Sequence, residues 1–317
     1  MYHSISDAAF DPWELCVSPA DFAEHLEVLS NRARVFSLGD MLGTLDRRPL
    51  PHRSVAITFD DGYADNLHAV KPLLEQYDAP ATVFVTAGMI GSRDNFWWDE
   101  LARLTLAPTE LAPAIELDIA GRSFHFDLGE DARVRSNEVR YKSWRFHEPS
   151  TNRRHLLYRN LWQRLQKLPE TARRRALYDL RWQVRTSSHE TVRLRVMDAG
   201  EIGRLASGGL VEIGAHTMTH PVLARIPVAD QVDEITRSKA AIEEILDRPV
   251  ANFSYPHGGR NDYTDETVDA VRNANLQSAC TTNEGWLRPG MDRYQLPRIH
   301  VPPTTGAEFG RLLDTWL

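Results

Sequence analysis

"SVAITFDDGYADN", residues 54–66, carries an apolar run into two adjacent carboxylates and a glycine. Val55, Ala56, Ile57, Thr58 and Phe59 read as a buried strand, with Asp60, Asp61 and Gly62 at its carboxyl end. Successive side chains of an extended segment point to opposite faces. Two neighbouring anions repel, so one carboxyl is expected to hold its proton more tightly unless a positive group stands close by. The rest of the chain must supply that group, or the pair is only a solvated turn.

Outward from this stretch, strands and helices alternate. "SPADFAEHLEVL" (18–29) has Ser18 as N-cap, Pro19 at the first helical position and Phe22, Leu26 and Leu29 at helical spacing. "NLHAVKPLLEQY" (66–77) reads as a helix weakened by Pro72. "ATVFVTA" (81–87), "LVEIGAHT" (210–217), "VANFSYP" (250–256) and "QSACTT" (277–282) read as further strands. "DAGEIGRLASGG" (198–209) is a helix capped by Asp198 and stopped by Gly208–Gly209. "VADQVDEITRSKAAIEEIL" (228–246) places Val232, Ile235, Ile242, Ile245 and Leu246 on one stripe, and 262–275 is a helix capped by Asp262 or Thr264. This alternation predicts a parallel sheet covered on both faces, open or closed into a barrel. Function is then expected at the carboxyl ends of the strands, where the aspartate pair lies.

Residues from about 93 to 197 break the rhythm. "AIELDI" (114–119), Ala120–Gly121 and "SFHFDL" (123–128) read as a hairpin, and residues 154–168 and 170–184 as two basic amphipathic helices. The chain is therefore read as one domain, 1–317, with a largely helical insertion. Residues 130–195 hold 17 Lys or Arg against seven acids, a charge of +10, which leaves −7 − 10 = −17 for the remainder. Such asymmetry points to an anionic partner or to a solvated helical face.

Composition sets outer bounds. With 317 residues, 42% apolar and 26% charged, the chain is globular. A net charge of −7 argues against bulk nucleic-acid binding. Two cysteines, Cys16 and Cys280, fit a reducing compartment better than a disulfide scaffold. No apolar run reaches 18 residues, and "MYHSISDAAFDPW" lacks a basic segment followed by an apolar one. The expected setting is cytoplasmic, without a membrane span.

The positive group has a candidate in "AHTMTHPV", where His216 and His220 follow a strand. Two imidazoles and one carboxylate form a common ligand set for a divalent metal with open positions. One aspartate then binds the metal, and the other handles a proton on water beside it.

"TFDDGY" with "HTMTH" resembles the first two motifs of the polysaccharide deacetylases, carbohydrate esterase family 4, with their nodulation-factor-deacetylase homology domain. "FSYPHGG" (253–259) resembles the third motif, "TTNEGWLRPG" (281–290) occupies the fourth and "LPRIHV" (296–301) the fifth. "MYHSIS" resembles the strand that often opens the domain. The resemblance covers about residues 1–92 and 198–303. It implies a deformed (β/α) barrel of seven strands whose metal site hydrolyses N- or O-acetyl groups on sugars. It implies Asp60 as general base, Asp61, His216 and His220 as metal ligands, and the His257 N–H, after Tyr255 and Pro256, as oxyanion donor. Trp286 and Leu296 become walls of an acetyl pocket. The third motif has Ser254 where many members carry an arginine that holds the catalytic aspartate, and Arg298 is read as its substitute. His300 is read as the general acid, with His257 as the other option.

The implied cofactor is one divalent ion, zinc first, with cobalt, nickel or manganese as alternatives. The implied substrate is an acetylated sugar or glycan, and the basic insertion is expected to recruit an anionic lipid-linked or nucleotide-linked carrier. Competing readings are a sugar deformylase, an inactive glycan-binding barrel and an iron(II) oxygenase, whose ligand set has no use for the second aspartate.

Overall fold

The computed structural model describes residues 1–133, 143–184 and 194–317. Among the charges counted above, Arg135, Glu138, Arg140, Lys142, Arg185, Glu190 and Arg193 lie outside the described residues. The chain divides into two compact units, one made of Met1–Asp7, Leu15–Arg93 and Val196–Leu317, the other of Ala8–Glu14 and Asp94–Arg195.

The strands of the first unit are β1 (Ser4–Ile5), β2 (Cys16–Val17), β3 (Arg34–Phe36), β4 (Ser54–Phe59), β5 (Ala81–Val85), β8 (Val211–Ala215), β9 (Asn252–Ser254) and β10 (Ser278–Cys280); β6 (Ala114–Ile119) and β7 (Arg122–Asp127) belong to the second. Six of them form one parallel sheet in the order β10-β9-β8-β5-β4-β3. Every residue of β5, Ala81–Val85, is buried, as a strand covered on both faces requires.

Two further segments carry the wall round. Leu296 bridges Cys280 in parallel, Tyr2 bridges Phe59 in parallel, and Met1 exchanges bonds with Ile299 O and Val301 N. Counting β4, β5, β8, β9, β10, the segment 296–301 and the segment 1–5 gives seven parallel staves, two of them too irregular to form full strands. This is the deformed (β/α) barrel expected from the sequence. β3 shares the edge of β4 with segment 1–5, pairing only at Ser54–Ala56.

Local chemistry explains the elements. Ser18 caps the helix Pro19–Arg32 by accepting the Asp21 N–H. Asp198 and Glu201 form a capping box on Ala199–Ala206, and Thr264 caps Asp265–Asn273. Pro72 is tolerated because a π-turn over Asn66–Val70 ends before it, which puts the proline in the first turn of a new helix, Lys71–Gln76. In helix Val228–Leu246 the buried stripe is Gln231, Ile235, Ser238 and Ile242. Val232, expected on the inner face, is 38% exposed, because the stripe follows 231-235-238-242 and leaves it outside.

In the second unit, β6 and β7 pair antiparallel across Ala120 and Gly121, both with positive φ. The hairpin packs with helices Trp97–Thr105, Arg153–Leu165 and Glu170–Val184 around Leu101, Ile115, Leu157, Leu161 and Leu180. Much of the unit's positive charge is structural. Arg154 is fully buried and donates to the carbonyls of Pro108, Thr109, Asp131 and Ala132. Arg173 is buried and donates to Leu165 O and Leu168 O at the end of the preceding helix. Arg103 and Arg181 share Glu100, and Arg174 pairs with Glu170. Of the unit's tryptophans, Trp144 is buried, Trp162 is packed against the core and Trp182 is 68% exposed.

Candidate metal centre

Because the sheet is parallel, the loops after β4, β8 and β9 leave from one end of the barrel, and each carries a polar group. Asp61 follows β4, and His216 and His220 follow β8. One ligand atom from each of the three lies within 4.8 Å of the others, and all three residues are buried. Asp61 Oδ1 is 3.5 Å from His216 Nε2 and 3.4 Å from His220 Nε2. Tetrahedral ligands about 2.0–2.1 Å from a zinc ion would stand roughly 3.4 Å apart, so these residues fit such an ion. His216 Nδ1 bonds the Ser254 carbonyl at 2.7 Å, which aims its Nε2 at Asp61. Burial holds both His216 and His220 below the usual imidazole range, with neighbouring histidines adding to the effect at His220. Neutral imidazoles are what a metal requires.

Asp60 points elsewhere. Its Oδ1 and Oδ2 each accept from the Arg298 guanidinium at 2.7 Å, a bidentate pair between two buried groups. Ser254 Oγ donates to Asp60 Oδ2 at 3.2 Å and accepts from Arg298 at 2.8 Å. Arg298 also donates to Thr281 O at 2.8 Å. Burial alone would raise the Asp60 carboxyl, but Arg298, with His216, holds it well below the usual carboxylate range. The answer to the opening question is thus double: Asp60 has a guanidinium, and Asp61 has a metal-ligand set.

The loops are strained where these groups sit. Asp61, Thr217, His220 and His257 all have φ between 57° and 74° without being glycine. Such conformations cost about 1–3 kcal/mol each and gather at functional sites. Gly62, at φ 79°, has Val85 side-chain atoms 3.0–3.2 Å from where a Cβ would stand, so only glycine lets the Asp61 turn lie against β5.

The other residues singled out from the sequence are distributed as follows. His257 is exposed, and its ring lies 5.0 Å from that of His220. Tyr255 is fully buried, with its hydroxyl on Tyr294 O and its ring stacked on Tyr263, so it anchors the Pro256–His257 loop from below. Pro256 is also buried. Leu296 is buried and Trp286 is 54% exposed, its indole N–H donating to the Trp316 carbonyl. Both line an apolar cavity of about 370 Å³ with Leu38, Met41 and Arg298. His300 is half-buried against His3, ring to ring at 5.9 Å.

His3 was not singled out from the sequence. Burial pushes it down to about 3, with Asp60 opposing and His300, Arg298 and His216 reinforcing the shift. Its place follows from the second half of the opening stretch. Asp65 accepts from Ser4 Oγ and Ile5 N, and Asn66 donates to His3 O, so "ADN" ties segment 1–5 to the barrel.

Against known proteins, the family profile described as polysaccharide deacetylase matches residues 47–112 and 181–279. YxkH of Bacillus subtilis (strain 168), which carries the same family name, is 30% identical over 107 residues, 33% of this chain and 37% of that protein. The match thus spans little more than a third of that curated relative. Among solved structures, the Streptococcus pyogenes deacetylase PplD in complex with acetate superposes with a TM-score of 0.60 at 18% identity, over 100% of this chain and 96% of that one. IcaB from Ammonifex degensii gives 0.58 at 17% identity, over 98% and 99%. At these identities the likeness is one of fold.

Proposed function

The chain belongs to the polysaccharide deacetylase family, and from that premise we propose that it is a metal-dependent hydrolase removing N- or O-acetyl groups from a sugar or glycan. The observation that carries this reading is the buried Asp61–His216–His220 cluster, whose Asp61 stands next in the chain to the Arg298-bound Asp60. Asp61, His216 and His220 hold one divalent ion, zinc before cobalt, nickel or manganese on the donor set. Such an ion would polarise an acyl carbonyl and lower the pKa of a water bound to it to about 7.

The chain's own residues do the rest. Asp60 takes the proton of the attacking water, and Arg298 keeps it ionised and its oxygens fixed. The His257 N–H, after Pro256, meets the developing oxyanion; losing one such donor typically costs about 10²–10³ in rate. His300 donates the proton to the leaving amine or alcohol, with His257 as the other option, and His3 stands against His300. Trp286 and Leu296 are the proposed walls of an acetyl pocket; the cavity they line reaches Arg298 but none of Asp61, His216, His220 and His257.

An anionic lipid-linked or nucleotide-linked carrier is supported by the exposed Trp182 and by Lys167 and Arg175, which make no ion pair among the described residues. Arg173, counted with them from sequence, is buried and unsuited to that role. Liposome co-sedimentation of Arg175→Glu checks the proposal, and undiminished binding removes it. A cytoplasmic setting is supported by the presence of only two cysteines, Cys16 and Cys280, too few for a disulfide scaffold. No described helix is long and apolar enough to cross a membrane.

The function is tested by elemental analysis of wild type and His216→Ala, followed by acetate and formate release from acetylated glycans and nucleotide sugars. Acetate release by metal-loaded wild type alone is expected. Equal metal in both proteins defeats the ligand assignment, and formate in place of acetate makes the enzyme a deformylase.

A further inference from the structure

The turn between the two histidines of the cluster is held by a carboxylate from another element. Glu234, on helix Val228–Leu246, accepts the backbone N–H groups of Met218 and Thr219 on Oε2, both at 2.8 Å. Its Oε1 accepts the Thr219 hydroxyl at 2.7 Å. Two successive N–H groups converging on one anion form a small anion-binding concavity, and bonds to an ionised acceptor are the strong ones. Among the described residues no basic side chain pairs with Glu234, so its charge is directed at the turn.

The turn needs outside support. Thr217 and His220 both lie in the left-handed region, at φ 63° and 57°. One side is braced by the turn that follows β5: Ala87 N donates to Thr217 O and Gly88 N to Met218 O, both at 2.9 Å. A Cβ at Gly88 would run into the Met218 carbonyl, so the approach is as close as backbone allows. Inside the turn, Thr217 Oγ1 donates to His216 O and accepts from His220 N. Glu234 supplies a further contact and satisfies the Met218 and Thr219 N–H groups.

We propose that Glu234 is a positioning residue for the metal centre: its carboxylate sets the His216–His220 turn and so the separation of the two imidazole ligands. The inference rests on the metal reading above. Outer contacts that orient metal ligands typically change affinity or activity by about 10–100-fold when removed.

The test uses full-length protein stripped of metal, titrated with Zn²⁺ against a chromophoric chelator, with the melting temperature of each metal-free variant measured in parallel. Glu234→Ala is expected to weaken Zn²⁺ binding by about 10–100-fold. Glu234→Gln, which keeps an acceptor for both N–H groups but loses the charge, and Thr219→Val are both expected to fall between Glu234→Ala and wild type. Wild-type affinity in Glu234→Ala, or a lowered metal-free melting temperature with unchanged affinity, overturns the proposal. Should Glu234→Ala fail to fold, Thr219→Val decides: weaker Zn²⁺ binding supports the role and unchanged binding removes it. If wild type and His216→Ala both leave the chelator untouched, the metal reading itself falls and takes this inference with it. Wild-type binding shared by Glu234→Ala removes only the role of Glu234.

Discussion

Replacing Arg298 by methionine would leave Asp60 as a buried charge without its partner. Asp60 is 2% and Arg298 7% exposed, and two bonds of 2.7 Å join them. Removing one member of such a pair typically costs about 3–5 kcal/mol, because the other stays buried and uncompensated. At about 1.36 kcal/mol per factor of ten, local opening should rise roughly 150- to 5,000-fold. Cys280 reports that opening. It is 1% exposed on β10, beside the Thr281 carbonyl that Arg298 also holds, and burial pushes its thiol up to about 11. In a Cys16→Ser background its labelling by a thiol reagent therefore measures how often this part of the barrel opens. Asp60→Asn/Arg298→Met removes both charges and is expected to recover most of the protection. Without Arg298, burial becomes the largest influence on Asp60 and raises its carboxyl, so the ratio of variant to parent labelling should shrink as pH falls. An increase below about tenfold, or a double variant as labile as the single one, would refute the claim that the two charges hold each other in place.

Two further outcomes follow from the same geometry. Asp60→Asn should keep its metal and lose most activity; loss of the metal instead would mean that the two aspartates have exchanged roles. Metal-free protein should lose stability below about pH 6.5, because the unfolded chain there takes up protons that His216 and His220, held below 6.5, and His3, near 3, refuse when folded. The slope is at most about 1.4 kcal/mol per pH unit for each histidine, and melting temperatures at pH 7.5, 6.0 and 5.0 check it. A flat profile through that window contradicts the burial argument.

The parts legible in the sequence are those whose signal is local. A run such as Val55–Phe59 ending in Asp60–Asp61, and two histidines four apart after a second run, announce strand ends and ligand types within a few residues. Helix caps at Ser18, Asp198 and Thr264 are equally local. What escaped depends on distant contacts. His3 carries no spacing that marks it, and it reaches Asp60 because Tyr2 pairs with Thr58 and Asp60 while Asp65 and Asn66 tie segment 1–5 to the barrel. Glu234 reads as one more polar position on an amphipathic helix, since the N–H groups it serves are 16 and 15 residues away. Trp13, in the stretch Ala8–Glu14, stacks on Phe146 and lies tilted against Trp162, a union of aromatics that no short-range pattern records. The arginine count misled for a related reason: formal charge does not say that Arg154 and Arg173 spend their donors on buried carbonyls.

The central claim is that Asp61, His216 and His220 hold a metal on which deacetylation depends. Acetate release from an N-acetylated glucosamine oligomer, measured on chelator-stripped wild type and His216→Ala before and after adding Zn²⁺, tests it directly. Stripped wild type should be inactive and regain activity with Zn²⁺, while His216→Ala stays inactive at the same Zn²⁺ concentration. Equal acetate release by stripped wild type, or by His216→Ala, would contradict the account.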